Sequence, residues 1–174
     1  MNARERRAAT WNGLSRAWDV IVVGGGITGA GVAREAARHG LSTLLVDRGD
    51  FASGTSSRSS KLVHGGLRYL AEGNVRLTWE SVRERDRLLA EGAGLVEPIG
   101  FLLPTYRGHR PGRAAYGAGL LAYDLMGSGA RHRRLSPADL APMAPHLLEE
   151  GLTGGYWYRD SQTDDARLVL RVLD

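Results

Sequence analysis

VVGGGITGAGVAREAARHG, residues 22–40, decides how this chain is read. Gly24, Gly25, Gly26, Gly29 and Gly31 crowd the junction between an apolar run and a helical pattern. Ahead of them, Val20 to Val23 form a short branched run of the kind that makes a buried parallel strand. Behind them, Ile27 to His39 carries Gly29, Ala30, Ala33 and Ala37 at helical spacing, and Gly40 stands as a stop after Arg38 and His39. STLLVD, residues 42–47, is a second branched strand. Strand, tight turn, helix and strand follow one another within the length of one parallel crossover, so the sequence predicts a βαβ unit.

The glycine spacing answers a physical need. Gly24, Gly26 and Gly29 make the G-x-G-x-x-G pattern, with Gly25 and Thr28 in the same turn. Gly24 allows the turn, Gly26 leaves room for a pyrophosphate, and Gly29 lets helix and strand pack closely. The first helical turn offers unpaired N–H groups, and the helix dipole favours an anion there. Asp47 ends the second strand, twenty-three residues after Gly24, placed to accept hydrogen bonds from both hydroxyls of an adenosine ribose; Arg48 follows it. A carboxylate there repels a 2′-phosphate. These residues predict dinucleotide binding and leave the choice between NAD and FAD open.

Composition narrows the classes. The 24 glycines point to tight turns and close backbone approaches, and the absence of cysteine excludes disulfides, thiolate metal sites and a cysteine nucleophile. The net charge is +4, but Arg4, Arg6, Arg7 and Arg16 against Glu5 put most of it in residues 1–18. The nearly neutral remainder argues against nucleic acid as a partner. That leader lacks the apolar core of a signal peptide and reads as a disordered basic arm. No apolar run has membrane-spanning length. A cytoplasmic protein is expected, with peripheral contact to the inner, anionic face of the cytoplasmic membrane left open through the arm or Arg131–Arg134. No metal site is expected: His109, His132 and His146 lack partners at ligand spacing, and Asp160, Asp164 and Asp165 read as acids at a helix start.

Further along, GDFASGTSSRSSKLVHGG, residues 49–66, breaks the periodicity as a polar loop. Residues 74–90 read as a helix with Glu80–Arg83 and Glu84–Arg87 pairs on its wet side. A short strand is expected over Ile99 to Leu103, a helix over 114–125, and a helix start at Ser136, Pro137 and Asp139. GLTGGYWYR, residues 151–159, reads as a strand, and TDDARLVLRVLD as a helix capped by Thr163 with no stop signal.

GTSSRSSKLVHGGLRYL, residues 54–70, LLAYDLMG and DDARLVL resemble the FAD-dependent glycerol-3-phosphate dehydrogenases, and DVIVVGGGITGAG is similar to the wider group of two-domain flavoproteins that includes glycine and D-amino acid oxidases. The resemblance runs from Asp19 to the last residue. It implies oxidation of sn-glycerol 3-phosphate to dihydroxyacetone phosphate, with a hydride passing from C2 to flavin N5 and electrons going on to a quinone or another acceptor. It places Gly24, Gly25, Gly26, Thr28 and Gly29 at the FAD pyrophosphate. Asp47, where the family usually has Glu, falls at the ribose with Arg48 beside it. Ser56, Ser57, Ser60, Lys61, Leu62, His64 and Gly66 run along pyrophosphate and flavin. Arg68 matches an arginine near the substrate, a dianion that suits a guanidinium. His64 is the candidate base for the substrate hydroxyl; a packing or flavin-contact role for it stays open.

The expected organisation is α/β. It is the βαβ part of a Rossmann-like FAD-binding domain of the two-domain flavoprotein type, with the start of a mixed α+β substrate region. Residues 1–18 are the arm. Residues 19–92 hold the FAD-binding βαβ unit, the serine-rich flavin loop and the following helix. Residues 93–160 begin the substrate region, and 161–174 start a helix returning to the FAD domain. A chain of this extent is expected to be a fragment that alone neither holds FAD tightly nor turns over. Two rival readings remain: an FAD-dependent amine or amino-acid oxidase, and a non-catalytic dinucleotide-binding module.

Overall fold

A computed structural model describes residues 2–127 and 131–174. They form two compact units, one of residues 1–59 with 165–174, the other of residues 60–164. The sequence groups the serine-rich loop and the helix after it with the βαβ unit by function. By packing, residues 60–92 belong with the second unit.

In the first unit, β1 (Val20–Val23) and β2 (Thr43–Val46) pair in parallel, Val20 opposite Thr43 and Val23 opposite Val46. Helix α2 (Ile27–Arg38) makes the crossover between them, and Gly40 leaves it with φ +77°. Helix α7 (Asp165–Leu173) packs on α2. Their meeting place is built from small residues: Ala30, Ala52 and Val169 are buried, with Ala166, Val172 and Leu173 around them. Small side chains let the two backbones approach closely, and Ala52 holds a left-handed φ of 62° to fit there.

Three expectations change in this unit. β1 is not buried on both faces. Val20 and Val22 are half-buried, while Ile21 and Val23 are 59% and 83% exposed, because α2 covers one face and no described element of this unit covers the other. The basic arm is not irregular: Ala3–Gly13 forms helix α1. Its start carries a capping box, in which the Glu5 N–H donates to Asn2 Oδ1 (2.9 Å) and the Asn2 N–H to Glu5 Oε2 (2.8 Å). Thr163 does not cap α7, which starts at Asp165; the Thr163 hydroxyl donates to the Leu95 carbonyl in the second unit (3.0 Å).

In the second unit, β3 (Val96–Tyr106), β4 (Arg133–Leu135) and β5 (Leu152–Thr163) form an antiparallel sheet in the order β3-β5-β4. β3 is about twice as long as the sequence suggests. Its register runs unbroken from Val96 opposite Thr163 to Thr105 opposite Gly154 and shifts before Tyr106, which lies opposite Leu152. Pro98 and Pro104 look like strand breakers, but an edge strand tolerates a residue without an N–H. Helices α3 (Leu67–Ala71), α4 (Val75–Glu91) and α5 (Arg113–Met126) pack on one another, and α6 (Pro137–Met143) packs on β5. Val82 on α4, Leu120 on α5 and Leu140 on α6 are fully buried.

Local signals explain the starts of two helices here. The Asn74 side chain accepts the Leu77 N–H at the start of α4, and Ser136 with Asp139 forms the capping box that opens α6. The wet face of α4 keeps only part of the expected pairing: Glu84 still attracts Arg87, but the short contacts go elsewhere. Arg76 binds Glu80 and Arg87 binds Glu91, each at 2.8 Å, while Arg83 lies over the Trp79 ring at 4.7 Å. Spacing of four sets each arginine over its acid one turn on, and the indole draws Arg83 away from Glu80.

Candidate functional site

In the first unit the glycine turn is packed as the spacing requires. A Cβ on Gly29 would stand 1.8 Å from the Gly24 carbonyl oxygen and 3.4 Å from Val22 Cγ1. Only a bare Cα lets α2 come this close to β1. Gly24 itself takes φ +112°, outside the range of L side chains. Phe51 lies across Gly25, where a Cβ would meet its ring at 2.1 Å, and the Ala52 N–H donates to the Gly25 carbonyl (2.8 Å).

The polar groups of this turn point where an anion would lie. The Ile27 N–H, at the first helical position, donates to Ser56 Oγ (2.9 Å). The amides of Gly26 and Thr28 have no hydrogen-bond partner among the described residues, and Thr28 is exposed. Open donors at a helix start, a hydroxyl beside them and no side chain at Gly26 suit a pyrophosphate. The donor set and the cradle therefore fit a dinucleotide. Ser57, which follows Ser56, is half-buried, and its hydroxyl donates to the Gly54 carbonyl (3.4 Å). Arg48 is exposed. Ser59 donates to the Asp165 carboxylate (2.7 Å), tying the end of the loop to the start of α7.

Asp47 has a task the sequence does not suggest. Its Oδ2 accepts the Gly25 N–H (2.7 Å) and its Oδ1 the Gly49 N–H (2.8 Å). Each oxygen keeps a lone pair for a further donor, while the short arm of Asp brings the carboxylate back onto the turn. The Gly25 amide, then the Gly49 amide, hold this carboxyl below the ordinary aspartate value of 3.8. A folded pKa below the unfolded one gives stability that is present above the unfolded value and lost as pH falls through the folded one. The urea midpoint of Asp47→Asn is therefore expected below that of the native chain at pH 7, with the gap closing below about pH 4. A gap of the same size at both pH values would refute this role.

In the second unit the segment from Lys61 to Gly66 is pinned to β5. The Thr163 N–H donates to the Lys61 carbonyl (2.9 Å), the Val63 N–H donates to the Ser161 carbonyl (2.9 Å), and Leu62 bridges Gln162 in antiparallel fashion. Lys61 adopts a left-handed φ of 61° to enter this pairing, and Ser60 before it is exposed. Gly65 and Gly66 are buried, while His64 is exposed, its ring centroid 6.2 Å from that of Tyr69. A Cβ on Gly65 would meet the Tyr123 hydroxyl at 2.2 Å, and one on Gly66 would meet the Tyr69 ring at 2.3 Å. Gly66 also takes φ 76° as it opens α3. Arg68 projects from α3, 80% exposed, with Glu72 at 3.5 Å.

Beneath the two glycines lies a polar cluster. Asp160 Oδ1 accepts the Gly65 N–H (3.0 Å) and an N–H from Arg85 Nη1 (3.3 Å); Oδ2 accepts the Tyr123 hydroxyl (3.1 Å). Arg85 also donates to Tyr123 (2.9 Å) and, through Nε and Nη2, to Asp86. Burial, then the Asp160 carboxylate, pushes the Tyr123 phenol well above its ordinary pKa, so it stays a donor. Burial opposes the Arg85 charge, but Tyr123, Asp86 and Asp160 outweigh it and raise its pKa.

The reading of Asp160 as a helix-start acid is thus corrected: it lies inside β5, 3% exposed. Arg85 and Tyr123 carry no local signal of their role, because their partner is distant in sequence. His132, without a partner at ligand spacing, donates its backbone N–H to the Asp124 carboxylate, and its Nδ1 lies 2.6 Å from the same oxygen. Within the Arg131–Arg134 run, Arg133 stacks on Trp157 at 4.7 Å. No group of metal-binding side chains occurs among the described residues, and no helix among them is long and apolar enough to cross a membrane.

The FAD dependent oxidoreductase family matches residues 19–174. Over 159 residues, 90% of this chain, the sequence is 41% identical to an aerobic glycerol-3-phosphate dehydrogenase of Staphylococcus haemolyticus. It is 42% identical over the same length to one of Staphylococcus epidermidis. A solved glycerol-3-phosphate dehydrogenase of Bacillus halodurans, complexed with FAD, superposes on 98% of the chain with a TM-score of 0.68 and 32% identity, over 27% of its own length. The chain spans 28% of the length of the two staphylococcal relatives.

Proposed function

The chain belongs to the FAD dependent oxidoreductase family, and from that premise we propose that it contributes the nucleotide cradle and part of the reacting machinery to a glycerol-3-phosphate dehydrogenase. The reaction is oxidation of sn-glycerol 3-phosphate to dihydroxyacetone phosphate, with electrons passing on to a quinone. The observation that carries this reading is the identity of 41% over 90% of the chain to enzymes of that name. FAD, when bound, supplies the two-electron acceptor.

The residues of the chain take separate tasks. Gly24, Gly25, Gly26, Thr28 and Gly29 present backbone to the pyrophosphate, Ser56 adds a hydroxyl, and Asp47 receives the adenosine ribose while closing the turn. Ser57, Ser60, Lys61, Leu62 and Gly66 belong to the segment that runs along the cofactor. His64 stands exposed on a buried, pinned turn and takes the proton of the C2 hydroxyl. Arg68 holds a guanidinium in solvent reach, with Glu72 only loosely engaged, and binds the substrate phosphate.

The test is made on the whole gene product. Anaerobic addition of sn-glycerol 3-phosphate is expected to bleach the visible absorbance of the oxidised flavin, while glycine and proline leave it unchanged. Bleaching by an amino acid and not by glycerol 3-phosphate would replace this reading with the oxidase one. Arg68→Gln is expected to raise KM for glycerol 3-phosphate by about tenfold or more, the worth of one charge-assisted hydrogen bond, with a smaller change in kcat. An unchanged KM would take Arg68 out of the substrate site.

A further inference from the structure

His64 is gripped through its neighbours on both sides, and both grips come from adjacent residues of β5. The Val63 N–H is held by the Ser161 carbonyl, and the Gly65 N–H by the Asp160 side chain. The second grip is the unusual one. The Gly65 N–H lies in the peptide plane that carries the His64 carbonyl, so fixing it fixes ψ of His64. Val63 is held by ladder pairing that any strand supplies; Gly65 is held by a charged side chain only 3% exposed.

We propose that Asp160, clamped by Arg85 and Tyr123, is a positioning residue that locks the His64–Gly66 turn and so sets the direction in which His64 stands. This rests on the reading of His64 as a reacting group.

Three observations support it. Asp160 uses both oxygens, one on Gly65 and Arg85, the other on Tyr123, so the carboxylate cannot rotate without losing bonds. Arg85 in turn is held in a fork by Asp86. One guanidinium thus serves two carboxylates and leaves Asp160 a strong acceptor for the amide. There is also no slack in the turn, since neither Gly65 nor Gly66 has room for a Cβ against Tyr123 and Tyr69. A buried charged cluster is a weak device for stability, because apolar residues of the same volume do as well. Its gain here is a single geometry for the peptide beneath His64.

The experiment is amide exchange and proton NMR on the 174-residue chain. Tyr123→Phe removes one clamp of Asp160, Asp160→Leu removes the acceptor, and Asp160→Asn keeps an acceptor oxygen without the charge. Gly65 exchange is read relative to amides of the β3–β5 ladder, which report general opening of this unit. Tyr123→Phe and Asp160→Leu are expected to speed Gly65 relative to the ladder by about tenfold and to weaken the nuclear Overhauser contact between the His64 and Tyr69 rings. Asp160→Asn is expected to retain most of both. Uniform acceleration of Gly65 and ladder together would show a merely structural role and overturn the proposal, as would no change at Gly65 or equal behaviour of Asn and Leu at position 160. Where Asp160→Leu does not fold, Tyr123→Phe against Asp160→Asn decides. The reading of His64 is tested separately: a His64→Ala whole enzyme with unchanged turnover sinks that reading while leaving the clamp measurement intact.

Discussion

Gly29→Ala is expected to cost the βαβ unit about 3 kcal/mol or more and, in the whole gene product, to abolish flavin binding, whereas Gly31→Ala, two residues on in the same helix, is expected to stabilise it by about 0.5–1 kcal/mol. Both residues lie in α2, and both look like poor helix formers. They differ in what a methyl group would meet. At Gly29 it would stand 1.8 Å from the Gly24 carbonyl oxygen, a backbone atom fixed by the strand before it; at Gly31 nothing lies within 4 Å. The Gly24 carbonyl cannot retreat, because it shares a peptide plane with the Gly25 N–H, which is already bonded to Asp47 Oδ2 (2.7 Å). At Gly29, then, the helix must lift off the strand, and the open amides at its start leave the cradle. At Gly31 alanine merely reduces the freedom of the unfolded chain. Amide exchange of Val22 and Leu45, which sit opposite each other in the β1–β2 ladder, reads the effect on this unit alone. Similar stabilities for the two variants would show that the third glycine of the pattern is not a packing glycine.

That contrast shows what is legible in a sequence. Where a structural need is local, it leaves a local trace: the glycine turn, Gly40 after α2, and Ser136, Pro137 and Asp139 opening α6 can all be read from neighbours a few residues apart. Where the need is met across the chain, the trace is lost. Pro98 and Pro104 speak against a strand, yet both sit in β3, because only the edge position in the sheet makes them harmless, and edges are not written in the strand itself. Asp160 lies near two other acids and so looks like part of a helix start. Its partners Arg85 and Tyr123 are 75 and 37 residues away. Asp47 was legible as the acid after the second strand, but not its bonds to Gly25 and Gly49, which follow from an arm one methylene shorter than that of Glu.

Arg85→Met is expected to destabilise the second unit by about 3–5 kcal/mol, the range for removing one partner of a buried ion pair. Arg85 and Asp160 expose 6% and 4% of their side chains. Without the guanidinium, Asp160 keeps the Gly65 amide and the Tyr123 hydroxyl but is left as a buried charge with no counterion. Asp86, 19% exposed, keeps access to water and suffers less. Arg85→Lys should fall between the two: an ammonium restores the charge but cannot reach Asp86, Tyr123 and Asp160 at once, as the fork of Nε, Nη1 and Nη2 does. The decisive variant is the double, Arg85→Met with Asp160→Leu. Removing both charges removes the cost of burying either, so the double is expected to be more stable than the Arg85→Met single and far from additive. Urea unfolding at neutral pH followed by hydrogen exchange in the β3–β5 ladder measures the native chain, the Arg85→Met, Arg85→Lys and Asp160→Leu singles, and the double. Additive losses would mean that Arg85 and Asp160 act independently, and that the cluster under His64 is no cluster.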